Sequence, residues 1–239
     1  METTIKTHRL ELTLLTSAPQ GSPEFAWLHS LRSDAKASFW TIGGPSKTLA
    51  ETEKSVRGVL PQQPSNANEG AKANEQDYRI VYAVHQVPIK TDSNQTDGTK
   101  TEELERTFIG LVNLKPANFP LPSHLDAPTS PSNTLSLELA YCFLPAFWGK
   151  GYATETLTAV FDALQTAPKV FWGKYEKVWV RALVNQLNGA SQKVMQKVGK
   201  LTEMGVWVWE GEEAVWVAGE WRVRDEVLIY GGWIVGGKE

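Results

Sequence analysis

Near the middle of the chain an apolar run closes on Leu144-Pro145, and a few residues later an amphipathic stretch opens with Gly149, Gly151 and Ala153 at alternate positions. This junction constrains the fold more than any other feature of the sequence. Small residues at a strand-to-helix turn leave the first helical amides bare, and unpaired N–H groups at a helix start favour a phosphate-sized anion. Lys150 adds a formal positive charge beside them. The stretch that follows sets Ala153, Leu157, Val160, Phe161 and Leu164 on one stripe, so the helix packs on a sheet and aims its N-terminus at the strand ends. A plainer reading, a tight turn with no ligand, fits the bare G-x-G equally well. Neither a Gly-Lys-Ser/Thr after a glycine-rich loop nor a G-x-G-x-x-G is present, so the common nucleotide fingerprints do not explain the pattern.

The rest of the chain reads as strands and helices around that junction. Alternation predicts a strand over 7–16, helices over 23–35 and 46–60, and strands over 78–86, 107–115 and 135–144. Helix 151–166, strand 177–183 and helix 188–198 follow, and then strands 202–209 and 214–223 joined by a turn at 210–213, with a continuation at 226–230. Three polar or proline-rich stretches, 61–77, 87–106 and 116–134, read as surface loops; the third holds five prolines, which remove donors from any ladder. No linker separates self-sufficient halves, so the expectation is one mixed α/β domain over 1–239.

Composition narrows the function class. A net charge of -3 lacks the basic balance of a nucleic-acid binder. No long apolar run suggests a secretory leader or a membrane span, and the lone Cys142 excludes an internal disulfide framework; cytoplasmic placement is the expectation. His8, His29, His85 and His124 are scattered without ligand spacing, so no metal is expected. Seven of the ten tryptophans lie after residue 170, and in strands such residues serve packing more often than a pocket. Trp207 and Trp209 share one strand face, whereas Trp216 and Trp221, read as one strand, face oppositely.

The run from Glu138 through Tyr141-Cys142-Phe143-Leu144-Pro145-Ala146-Phe147-Trp148-Gly149-Lys150-Gly151-Tyr152-Ala153-Thr154-Glu155 resembles the acyl-CoA motif of the GNAT superfamily of N-acetyltransferases. It is most similar to the subfamily that acetylates ribosomal-protein N-termini. Asn188-Gly189-Ala190-Ser191 through Lys197-Val198-Gly199 resembles that subfamily's next motif, and Thr7-His8-Arg9-Leu10-Glu11-Leu12 its first strand. The resemblance covers most of the chain, with the three loops as insertions. It implies a central, mostly antiparallel twisted sheet flanked by helices, with two middle strands splayed around the pantetheine arm of acetyl-CoA. It implies also that backbone groups near Tyr141, Cys142 and Phe143 hold that arm, that the amides of Gly149, Lys150, Gly151, Tyr152, Ala153 and Thr154 hold the pyrophosphate with Trp148 adjoining it, and that Asn188 and Ser191 touch the co-substrate from the opposite wall.

The reaction implied is direct acetyl transfer to a primary amine: a protein N-terminus, a peptide or a small amine. Cys142 is then packing rather than a nucleophile, since no His-Asp pair accompanies it. Glu138 is the odd residue of an apolar strand and the candidate base or substrate-orienting group, against the plainer reading of a salt-bridged carboxylate. The tyrosine acid that many relatives place seven residues after the helix asparagine is Met195 here, and Lys200 stands where relatives carry an aromatic, so Ser191 or Tyr141 takes the acid role or water supplies the proton. Asn188 fits equally well as a simple helix cap. The competing reading is a non-catalytic acyl-CoA-binding module of the same fold, either one a monomer or a homodimer.

Overall fold

A computed structural model describes residues 1–62, 77–88, 106–127 and 133–236. Most of the stretches expected as loop insertions at 61–77 and 87–106, and the end of 116–134, lie outside the described residues. The elements run β1 (Thr4–Lys6), β2 (Leu10–Leu14), α1 (Pro23–Ser33), α2 (Leu49–Arg57), β3 (Ile80–Gln86), β4 (Thr107–Pro116), β5 (Thr134–Phe143), α3 (Tyr152–Thr166), α4 (Lys169–Trp172), β6 (Lys177–Asn185), α5 (Gly189–Val198), β7 (Thr202–Val217) and β8 (Glu220–Val235). Single 3-10 turns sit at Ser123–Leu125 and Pro145–Phe147.

Eight strands form one sheet in the order β1-β2-β3-β4-β5-β6-β8-β7. Its pairs are antiparallel except β5 with β6, which run parallel because α3 and α4 carry the chain back between them. Strand periodicity sorts side chains to the two faces. In β3, Ile80, Tyr82 and Val84 join the core under α3 and α5, while Val81 and Ala83 join the core under α1 and α2. The α3 stripe is seated as its spacing requires: Leu157, Val160, Phe161 and Leu164 are buried, each stabilising the fold by about 1.5–3 kcal/mol relative to exposure. Among the described residues no helix is long and apolar enough to cross a membrane.

The termini correct the sequence expectation. The strand expected over 7–16 is the second arm of a hairpin, in which Ile5 faces Leu12. Thr7, His8 and Arg9 form its bend, closed by the Thr7 amide on the Leu10 carbonyl at 2.9 Å and by the Leu10 amide on Thr7 Oγ1 at 3.0 Å. At the other end the expected turn at 210–213 is an irregularity inside β7, where pairing with β8 skips from Glu210↔Arg224 to Val215↔Arg222. The actual turn is Ala218-Gly219, both with positive φ (53° and 82°), the backbone that a two-residue hairpin demands. Ala218 carries no turn signal of its own; its amide is held by the Phe39 carbonyl at 2.8 Å, so a tertiary contact selects the conformation. Trp216 and Trp221 therefore sit opposite each other across the hairpin, ring centroids 5.7 Å apart, and not on opposite faces of one strand. Helix α4, not expected from sequence, is a four-residue turn after Pro168 that buries Trp172.

Candidate active site

β5 and β6 stay paired from Thr134↔Lys177 to Leu139↔Ala182 and then part. Beyond that point β5 continues on β4 as far as Gly110↔Phe143, and β6 continues on β8 as far as Asn185↔Val227, so each strand keeps one partner and the gap opens between them. This is the splay the resemblance implies.

The glycine-rich junction stands at the mouth of the gap. Gly149 and Gly151 have φ of 72° and 82°, a left-handed backbone that favours glycine, and a Cβ at Gly149 would meet open space. Helices α1, α2 and α5 are closed at their N-termini by side chains: Ser22 Oγ accepts from the Phe25 amide at 3.1 Å, Thr48 Oγ1 from Glu51 at 3.2 Å and Asn188 Oδ1 from Ser191 at 3.1 Å. Helix α3 has no such cap. Its first amides are available to an anion, and the residues present suit a pyrophosphate. Lys150 is exposed, its Nζ 5.4 Å above the Phe147 ring. Trp148, half exposed, donates its Nε1–H to the Phe143 carbonyl at 2.6 Å, so the carbonyl expected to face pantetheine already has a partner.

Of the candidate site residues, Tyr141, Asn188 and Ser191 are brought together by the gap. Tyr141 lies two residues beyond the last β5–β6 rung, and its hydroxyl is 2.6 Å from Ser191 Oγ; the Ser191 amide is in turn held by Asn188. Burial pushes the Tyr141 phenol up to about 12, against the opposing pull of the Ser191 bond, so it is a proton carrier at neutral pH. Asn188 thus serves as the helix cap of α5. Met195 is only 1 % exposed and belongs to the core under α3 and α5, so the position where relatives carry an acid faces inward in this chain. Cys142 points to the opposite face and donates to the Ala37 carbonyl at 3.0 Å; burial, only partly offset by Arg32, raises its thiol to about 12. It packs, as expected.

Glu138 lies on the face opposite Tyr141. Its Oε2 is 3.3 Å from Arg181 Nη2 and its Oε1 3.7 Å from Lys115 Nζ. Sequence reasoning missed Arg181, a guanidinium with a side chain 1 % exposed on a central strand. It also reaches Asp126 at 3.0 Å and the Phe119 carbonyl, and so fastens the 117–127 segment over this face, where Phe119 packs on Trp207 with centroids 5.0 Å apart. A signal was present: a charged residue on an otherwise apolar strand, in register with Glu138.

A family model for the acetyltransferase (GNAT) domain matches residues 9–200. The chain belongs to the GNAT acetyltransferase family. Solved structures of GNAT-type enzymes share the fold at low identity. The ribosomal-protein-S5-alanine acetyltransferase from Vibrio fischeri matches with 12% identity, 100% of both chains covered and a TM-score of 0.54. The spermidine N-acetyltransferase from Vibrio cholerae in complex with CoA and spermine matches with 17% identity, covering 92% of this chain and 94% of that one, TM-score 0.51. A GNAT-family acetyltransferase from Bacillus anthracis matches with 18% identity, covering 97% and 98%, TM-score 0.53. No curated protein matches the chain in sequence.

Proposed function

We propose that the protein is an acetyl-CoA-dependent N-acetyltransferase that transfers the acetyl group directly to a primary amine, either a peptide or protein N-terminus or a small amine. The observation that carries this reading is the β5–β6 gap, with an uncapped glycine-rich helix start at its mouth and a hydrogen-bonded Tyr141–Ser191 pair inside it. The CoA-bound spermidine enzyme and the ribosomal-protein enzyme of the same fold support the donor and the amine class.

Acetyl transfer needs an uncharged amine, a polarised thioester carbonyl and a proton for the departing thiolate. A thioester lying in the gap meets Tyr141 and Ser191 from one face of the sheet and opens toward Glu138 on the other. Acid and base are thereby kept apart. Tyr141, whose phenol stays protonated, delivers a proton to the thiolate, with Ser191 Oγ orienting it. Glu138, already paired with Arg181 and Lys115, orients the amine or takes its proton through water.

A non-catalytic acyl-CoA-binding module is the second reading, and the buried Met195 is what favours it. Release of free thiol from acetyl-CoA with a panel of N-terminal peptides, polyamines, amino acids and aromatic amines separates the two. Thiol release with at least one amine supports the enzyme; CoA binding without release leaves the module. Glu138→Gln with intact turnover removes Glu138 from the mechanism.

A further inference from the structure

Arg9 lies at the bend between β1 and β2, far in sequence from α3, yet its guanidinium is committed to the first turn of that helix. Nε donates to Glu155 Oε2 at 2.8 Å, Nη2 approaches the same oxygen to 2.6 Å, and Nη1 donates to the Lys150 carbonyl at 3.1 Å. The guanidinium carbon stands 4.6 Å over the Tyr152 ring. The other carboxylate oxygen of Glu155 accepts from Thr7 Oγ1 and from the Arg9 amide at 3.2 Å. Burial pulls the Glu155 carboxyl upward, but the Thr7 and Arg9 bonds outweigh it and hold the group below its ordinary value, so it is ionised at neutral pH.

That ionised carboxylate poses a problem for the site. In the first turn of an ordinary helix it interacts favourably with the positive end. At a helix start that must receive a pyrophosphate it repels the incoming anion and competes for the same amides. Here both of its oxygens are turned to the β1–β2 bend, and a guanidinium cancels its charge. The second contact has a separate consequence. A trans peptide holds its N–H antiparallel to its C=O, so fixing the Lys150 carbonyl on Arg9 aims the Gly151 amide to the opposite side of the turn.

We propose that Arg9 is a positioning residue for the diphosphate of CoA: it neutralises Glu155 and orients the 150–151 peptide, so that the α3 start presents only positive potential to the ligand. This rests on the acyl-CoA reading above and adds to it a residue from the N-terminal hairpin that touches no reacting atom.

Calorimetric titration of CoA into the full-length protein tests it, using wild type, Arg9→Met, Glu155→Gln, the double variant and Arg9→Lys. Removal of one unit charge a few ångströms from a screened anion predicts a loss of roughly tenfold in affinity for Arg9→Met. Glu155→Gln binds at least as tightly as wild type, and the double variant recovers to within about threefold of wild type because the offending charge is gone as well. Arg9→Lys, which keeps the charge on a flexible stem, stays within about threefold of wild type. Three results overturn the proposal: Arg9→Met binding as well as wild type, a double variant as weak as Arg9→Met, or Arg9→Lys falling as far as Arg9→Met. Failure of wild type itself to bind CoA is a different outcome, which removes the cofactor reading and this inference with it.

Discussion

Replacing Arg181 by methionine keeps much of the side-chain volume and deletes the charge that fastens the 117–127 segment. Breaking a buried ion pair from one side costs about 3–5 kcal/mol when the orphaned partner stays dry. The partners here do not: the Asp126 side chain is 30% exposed and that of Glu138 20%, and Glu138 also keeps Lys115 at 3.7 Å. Water and Lys115 take up part of the lost interaction, and Arg181 Nε, buried without a partner, no longer carries its own desolvation cost. The expected loss is therefore about 2 kcal/mol, a fall of about 4–8 °C in Tm for a chain of this length. Urea unfolding followed by fluorescence gives the global number, and amide hydrogen exchange gives the location. Amides of 119–126 lose protection in Arg181→Met while those of β6 keep it. Stability within about 0.5 kcal/mol of wild type, or unchanged protection in 119–126, refutes the reasoning that this pair holds the segment down.

Three further outcomes are expected. Tyr141→Phe lowers kcat by about 10²-fold with the KM for acetyl-CoA little changed, since the ring still packs while the proton donor is lost; steady-state kinetics with an active amine checks this, and unchanged kcat passes the acid role to Ser191 or water. Ala218→Gly raises stability by about 0.5–1 kcal/mol, because relief of the left-handed backbone at φ 53° exceeds the added freedom of the unfolded chain; thermal unfolding reads the shift. The Glu155 carboxyl sits below its ordinary value in the folded state, so its contribution to stability is present above pH 4.5 and is lost as pH falls through the folded value. Denaturant midpoints at pH 7 and below pH 4 therefore fall further apart in wild type than in Glu155→Gln.

Much of this architecture could be read from the sequence wherever one local signal dominated. The α3 stripe and its bare glycine opening followed from spacing alone, because a helix on a sheet admits one apolar face. Tyr141, Ser191 and Asn188 were singled out by resemblance, but only the parting of β5 from β6 brings the first within 2.6 Å of the second. The C-terminal hairpin was misread for a physical reason: Glu210-Gly211-Glu212-Glu213 has the composition of a turn but lies inside a strand, whereas Ala218 makes the turn because Phe39 holds it there. Arg181 escaped notice because its neighbours Val180 and Ala182 read as pure core, although the argument that marked Glu138 as odd applies equally to its partner in register. Thr7 and Arg9 were read as strand, and their bonds to Glu155 depend on the distant contact of β2 with α3.

The seam between β5 and β6 has a mechanical meaning. In strand pairing, one half-sheet, β1 to β5, meets the other, β6 with β8 and β7, through the rungs from Thr134↔Lys177 to Leu139↔Ala182. Beyond them the sheet has an interior edge, the kind of open ladder that elsewhere invites a foreign strand. On the acyl-CoA reading proposed above, the pantetheine arm, which carries two amides spaced along a narrow chain, would close that ladder as a short surrogate strand. Uptake of that ligand would then act as a wedge that is also a rivet, occupying the cleft and tying the two half-sheets together.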